Sequence, residues 1–225
     1  MAANRRADLR ERLPDALRLY VLTDRGLARG RDEARIVADA IAGGATAIQL
    51  RWKQGPLSEA LRIGREVRQV CHAAGVPFIV NDRVDLALAL DADGVHVGVD
   101  DLPVAETRAL VGDRMIVGYS PPTVEAALAA ERDGADYLGV GPIYTTGTKA
   151  DAGAAVGVDH LARIVNAVGI PVVGIGGINA SNATPVVAAG AVGVAVISAV
   201  VAADDVEAAA RALRQAVEAG LGSRA

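Results

Sequence analysis

The residues best suited to chemistry recur at intervals, each just beyond a short apolar run. Gln49, Arg51 and Lys53 come first, in Ala47-Ile-Gln49-Leu-Arg51-Trp-Lys53. Alternate residues of a strand share a face, so one amide and two cations point the same way, an arrangement suited to an anionic ligand. Asn81-Asp82-Arg83 follows Phe78-Ile-Val80, and Asp100-Asp101 follows Gly94-Val-His96-Val-Gly98-Val99. Two carboxylates from neighbouring strand ends fit Mg²⁺, which takes one or two carboxylates together with water and phosphate oxygens. Helix capping is the competing role, because Asp is a favoured N-cap. Asp82 would cap a helix over 84–90, and Asp100 or Asp101 one near Pro103. His96 sits in an apolar run and reads as a hydrogen-bonded core histidine. His72 and His160 fall in helical patterns and read as structural.

The later runs carry a different set. Ser120 ends Val117-Gly-Tyr-Ser120 ahead of Pro121-Pro122, and either donates to a ligand or caps the next helix. No histidine lies within several residues of it, and no nucleophile elbow surrounds it, so a serine hydrolase has little support. Gly139 to Asp151 is a strand followed by a long polar loop that holds Thr146, Thr148 and Lys149. Loops of this length are usually functional or disordered. The glycine spacing around Lys149 does not make a P-loop. The last two runs end Gly174-Ile-Gly176-Gly177 and Val196-Ile197-Ser198. Bare backbone at a helix start binds phosphate through free N–H groups and the helix dipole, though glycines there also serve close packing.

Eight apolar runs must position these groups, at residues 19–23, 47–51, 78–81, 94–97, 116–120, 137–141, 172–175 and 194–197. Most are continuously apolar, as parallel strands buried on both faces are. Helical patterns lie between them, among them 57–74, 123–133, 159–168 and 206–219. Eight alternating units in 225 residues predict an α/β fold, a single (β/α)8 TIM barrel with a short N-terminal extension. An open doubly wound sheet is the alternative, but the first strand lacks its Gly-rich fingerprint. The expected organisation is one domain over 1–225, with its core at about 17–220. Polar residues at so many strand ends suit a barrel, whose strands all point at one mouth.

Composition narrows the classes. Aromatic residues make up 3% of the chain, so Val, Leu, Ile and Ala must fill the core. A net charge of −4 argues against nucleic acid as a partner. Cys71 is the single cysteine, so no internal disulfide or cysteine cluster can form. The N-terminal residues show no apolar export segment. Residues 164–203 carry no charge, but proline, glycine and asparagine interrupt them, so they read as strands around a helix and not as a membrane span. A cytoplasmic protein without a membrane partner is expected. Only Lys53 and Lys149 among 23 basic residues are lysine; the others are arginine. Both lysines fall beyond strand ends at the predicted mouth. A neutral backbone cradle on one side, and cations with a Mg²⁺ pair on the other, suggest a transferase joining a phosphate ester to a diphosphate-activated partner.

In order along nearly the whole chain, these motifs resemble the thiamine-phosphate synthase family. The resemblance rests on Gln49-Leu-Arg51-Trp-Lys53, Asn81-Asp82-Arg83, Gly94 to Gly98 with Asp101, Gly118-Tyr-Ser120, Gly141-Pro142 through Lys149, and Gly176-Gly177-Ile178. It implies two small-molecule substrates, hydroxymethylpyrimidine diphosphate and hydroxyethylthiazole phosphate, joined with release of pyrophosphate. It implies that Gln49 and Ser120 contact the pyrimidine, and that Arg51, Lys53, Asn81 and Lys149 hold the diphosphate. Asp82 and Asp101 would bind Mg²⁺. Thr146 and Thr148, with the backbone of Gly177, Ile197 and Ser198, would hold the thiazole phosphate. Lys53, Ser120 and Lys149 would be the catalytic residues of a dissociative substitution. Val99 and Pro121-Pro122 depart from the family pattern, which bears on substrate fit. A thiazole tautomerase-like relative, a sugar-phosphate isomerase using Asp24 with Asp82, and a non-catalytic thiamine-phosphate sensor are the rivals. A homo-oligomer is left open.

Overall fold

All eight apolar runs form strands in the computed structural model, which describes residues 9–147 and 154–223. They are β1 (Leu19–Leu22), β2 (Ala47–Leu50), β3 (Phe78–Asn81), β4 (Gly94–Val97), β5 (Ile116–Tyr119), β6 (Tyr137–Val140), β7 (Val172–Ile175) and β8 (Gly193–Val196). Every neighbouring pair is parallel, and β8 returns to β1, with Val21 opposite Ile48 on one side and Val196 on the other. The sheet is a closed (β/α)8 barrel. Several strands end one residue earlier than the apolar runs do, because the chain turns into the mouth loops there. Thr23 and Ser120 still donate their N–H groups to a neighbouring strand, Thr23 to Gln49 of β2 and Ser120 to Val97 of β4.

Strand alternation divides the apolar side chains into two layers. Leu19, Val21, Ile48, Leu50, Val95, Val97, Leu138 and Val140 face outward and pack under the helices. Tyr20, Leu22, Ala47, Ile79, Ile116, Tyr137, Val173 and Ala195 face inward. The short helix Leu13–Ala16 adds Leu13 and Ala16 to this inner cluster and Leu17 follows them, so this part of the N-terminal extension packs against the barrel interior. The uncharged stretch 164–203 becomes the end of one helix, β7, the helix Ala183–Ala188, β8 and the short helix Ser198–Val201. No helix among the described residues is long and apolar enough to cross a membrane.

Two of the four tyrosines, Tyr20 and Tyr137, lie inside the barrel with their rings edge to face, centroids 6.0 Å apart. A barrel interior lined by eight short strands is narrow, and Gly118 on β5 makes the room. A methyl group at Gly118 would lie 2.2 Å from Tyr137 Cζ and 2.5 Å from His96 Nδ1. Overpacking of this kind costs about 1–3 kcal/mol. Gly118→Ala is therefore expected to lose stability on that scale, read as a lower urea midpoint with an unchanged slope. An unchanged midpoint would mean that the rings move aside freely.

Candidate active site

The polar residues converge because parallel strands in a closed barrel all deliver their C-terminal ends to one mouth. There they surround a cavity of about 430 Å³. On one side stand Lys53, Asn81, Asp82 and Asp101. On the other stand Thr146, Gly176, Gly177, Ile197 and Ser198, with Ser120 and His96 at the floor between them. A second cavity of about 20 Å³ continues inward beneath the floor, bordered by Gln49, Asn81, His96 and Ser120. Thr148 and Lys149 lie outside the described residues.

The carboxylate side is built from local backbone geometry. Asp82 follows β3 with a left-handed φ of 61°, a conformation that costs energy for any residue except glycine, though Asp tolerates it better than most. Its N–H donates to the His96 carbonyl at 2.7 Å, which ties the turn to β4. Lys53 Nζ donates to Asp82 Oδ2 at 2.7 Å. Asp101 accepts the Gly98 N–H at 2.7 Å, and so folds the loop after β4 back toward Asp82. Neither aspartate caps a helix. Arg83 and Pro103 occupy the N-cap positions of Val84–Ala89 and Val104–Val111, and neither helix has a side-chain cap. Burial pushes the Asp101 carboxyl above the ordinary range. The Gly98 N–H pulls it down, and the neighbouring Asp82 charge pushes it up again. Among the described residues one lysine, Lys53, stands against these two carboxylates, and they are under-neutralised.

The two cations after β2 separate. Trp52 is buried against the outer core, and its indole N–H donates to the Gly55 carbonyl at 3.3 Å, which shapes the turn that carries Lys53. Lys53 reaches the cavity. Arg51 pairs with Asp24 at 2.5 Å, and is not among the cavity-lining residues. Its buried Nε has no partner. Asp24 also accepts the Leu27 N–H and caps the helix Arg25–Ala28. The strand alternation that groups Gln49, Arg51 and Lys53 on one face holds only for Gln49, because β2 ends at Leu50.

Ser120 does not cap a helix either; Thr123 caps Val124–Arg132. Ser120 Oγ is instead 2.8 Å from His96 Nε2. His96 Nδ1 is 3.0 Å from the Tyr137 hydroxyl, which is 2.9 Å from that of Tyr20, and Gln49 Nε2 donates to Tyr20 at 2.5 Å. His96 is thus a hydrogen-bonded core histidine, as its apolar strand suggests, and it also forms part of the cavity wall. Tyr20 and Tyr137 escape a motif-based reading. Their signal is that both fall in phase with the inward positions of their strands. Gly177, at φ 68°, packs so tightly on the loop after β6 that a Cβ would meet Tyr144 Cβ at 2.7 Å and the Thr145 carbonyl at 2.8 Å. Asn182 Nδ2 donates to its carbonyl at 3.0 Å. Close packing thus requires glycine here, and the same packing holds this backbone against the cavity.

Comparison with known proteins identifies the lineage of this site. A family model described as thiamine monophosphate synthase matches residues 19–200. The thiamine-phosphate synthase of Chloroflexus aurantiacus is 56% identical over 200 residues, which cover 89% of this chain and 92% of that one. The chain belongs to the thiamine monophosphate synthase family. The thiamine-phosphate synthase of Moorella thermoacetica is 53% identical over 88% of this chain and 95% of its own. The solved thiamine phosphate pyrophosphorylase from Pyrococcus furiosus superposes with a TM-score of 0.86 at 46% identity, covering 93% of this chain and all of that one. This member of the family is a transferase with thiamine-phosphate synthase activity, and it works in thiamine biosynthesis. Val99, Pro121 and Pro122, the positions where the resemblance implies a departure from the family pattern, all line the cavity.

The raised Asp101 carboxyl has a consequence for stability. A carboxylic acid whose pKa is higher folded than unfolded favours the folded state at low pH, and that contribution is lost as pH rises through the folded pKa. Near neutral pH its charge is a burden. Asp101→Asn removes the charge, and its amide oxygen can still accept the Gly98 N–H. In metal-free buffer the variant is expected to melt above wild type at about pH 7 and to lose that advantage toward about pH 4. Thermal unfolding across that range checks this, and a variant that melts lower at neutral pH would contradict the argument.

Proposed function

We propose that the two halves of the cavity take the two substrates, hydroxymethylpyrimidine diphosphate and hydroxyethylthiazole phosphate. In this reading the diphosphate lies against Lys53 and Asn81, with Lys149 as a third contact expected from the sequence. Gln49 and Ser120 hold the pyrimidine ring at the inner end. Thr146 and the backbone of Gly177, Ile197 and Ser198 take the thiazole phosphate, with Thr148 beside them from the sequence reading. The observation that carries this assignment is the division of one cavity into a charged side and a mostly backbone side. A diphosphate that must depart needs the first, and a phosphate that only anchors its ester needs the second. Arg51 is tied to Asp24, whose carboxylate offsets its charge, so it is not among the direct contacts of this reading.

The donor set at Asp82 and Asp101 fits Mg²⁺. Among the described residues no group of three or more His, Cys, Asp or Glu side chains could hold a metal. Two under-neutralised carboxylates, with water and diphosphate oxygens completing the shell, match what this ion accepts. When bound, Mg²⁺ would supply positive charge to the leaving diphosphate.

The chain's own residues account for a dissociative substitution. The C–O bond to the diphosphate breaks first and leaves a pyrimidine-stabilised cation. Lys53 meets the negative charge that grows on the departing oxygens. The phosphate cradle keeps the thiazole nitrogen facing the cation, so capture is effectively unimolecular. Pyrophosphate leaves with the bonding pair, and the thiazole nitrogen supplies the new one. No step needs a strong base or a covalent nucleophile. His96 has both ring nitrogens hydrogen-bonded, in keeping with that. The isomerase alternative would need Asp24, which is occupied by Arg51 and by helix capping.

Purified protein given both substrates and Mg²⁺ is expected to form thiamine phosphate and pyrophosphate one for one, and to stop when the metal is chelated. Binding of both substrates without turnover would favour the sensor. Asp82→Ala is expected to lose at least about a hundredfold in kcat, the scale for removing one group that stabilises developing charge. Full activity in that variant would remove Asp82 from the metal site. Lys149→Arg is expected to release pyrophosphate more slowly than wild type at saturating substrates, because a planar fork does not replace a mobile point charge. Equal rates would show that lysine itself is not required there.

A further inference from the structure

The hydrogen bonds inside the barrel form one chain across five strands or strand ends: Gln49, Tyr20, Tyr137, His96, Ser120. Burial raises both phenols above their ordinary range, so each keeps its single proton. A hydroxyl with one proton that accepts at one end must donate at the other. The direction of the whole chain therefore follows from its first bond. Gln49 Nε2 can only donate, and it donates to Tyr20. Tyr20 then donates to Tyr137, and Tyr137 to His96 Nδ1. Neutral His96 must then carry its proton on Nε2 and give it to Ser120 Oγ. The Ser120 hydroxyl accepts from below, so its own proton points elsewhere, and Ser120 lines the large cavity. At the other end the buried Gln49 Oε1 has no partner.

We propose that Tyr20, Tyr137 and His96 are positioning residues that set the polarity of the ligand contacts. They make Ser120 a hydrogen-bond donor and leave Gln49 Oε1 as an acceptor. The edge they select carries a ring-nitrogen acceptor beside an amino donor. This rests on the reading that the inner end of the cavity receives the aminopyrimidine. It adds why two buried tyrosines stand in a barrel core with almost no other aromatics. Turning the Gln49 amide over would reverse every bond. It would place the His96 proton on Nδ1 and make Ser120 an acceptor, the wrong partner for that ring nitrogen. Specificity for the edge thus depends on residues that act through Ser120 and Gln49.

The direction can be read without substrate. In ¹⁵N-histidine-labelled protein at about pH 8, where imidazole is ordinarily neutral, long-range ¹H–¹⁵N correlation distinguishes the two tautomers. His72→Gln and His160→Gln assign the remaining signal to His96. The Nε2–H form is expected in wild type, and a dominant Nδ1–H form would overturn the proposal. In Tyr137→Phe the His96 signal is expected to leave the pure Nε2–H form. The KM for the pyrimidine diphosphate should rise about tenfold, the worth of one hydrogen bond, with the KM for the thiazole phosphate unchanged. Tyr20→Phe keeps the Tyr137–His96 bond and should raise the same KM less. Unchanged tautomer and KM in Tyr137→Phe would also overturn it. The spectroscopic result stands apart from turnover, so a wrong chain direction and a wrong substrate assignment give different failures.

Discussion

Closure of a parallel sheet is the constraint on which everything else in this protein depends. Once β8 pairs with β1, no strand has a free edge, and every strand leaves the barrel at the same end. Residues as far apart in the chain as Lys53 and Ser198 then line one cavity. Closure also limits the interior. With so little room, each inward side chain must be chosen against its neighbours, and a tyrosine on β6 requires a glycine on β5. The interior toward the mouth is therefore polar and interlocked, whereas the interior toward the N-terminal helix is apolar and ordinary.

The site departs from what stability alone would select, and the departures share a direction. Asp82 accepts a left-handed backbone. Asp101 sits close enough to it that burial and charge raise its carboxyl. Among the described residues Gln49 Oε1, Asn81 Nδ2 and Arg51 Nε, at or beside the mouth, are buried without partners, as is Glu33 Oε2 away from the cavity lining. Unpaired buried polar atoms and crowded like charges cost free energy in the folded protein. That most of them gather at one mouth is what a site awaiting a cation and a polar ligand requires, and the closed barrel supplies the rigidity that tolerates it.

Much of this architecture was legible in the linear chain. Strands buried on both faces read as continuous apolar runs, so all eight could be located to within about a residue, and their alternation with helical patterns pointed to the barrel. The polar residues at strand ends pointed to the mouth. Beyond the strand ends the linear pattern carries less. Strand alternation stops where the strand stops, so it does not keep Arg51 on one face with Lys53, and Trp52 and Asp24 decide where those two cations go. For Asp82, Asp101 and Ser120, sequence weighed a capping role against a ligand role almost evenly. Only the helix starts in three dimensions showed that other residues occupy the cap positions.

The chain by itself determined which residues are available and on which strand ends they stand, because local periodicity and turn chemistry are short-range properties. Its two lysines among 21 arginines were visible in composition, and so was the scarcity of aromatic residues. Tertiary structure alone decided the partnerships. Tyr20 and Tyr137 are 117 residues apart, yet they share a hydrogen bond inside the barrel. His96 joins them to Ser120 only because β4, β5 and β6 lie side by side. No spacing rule encodes such a contact. It exists because closure folds distant inward positions into one layer, where a buried hydroxyl must find the partner that happens to face it.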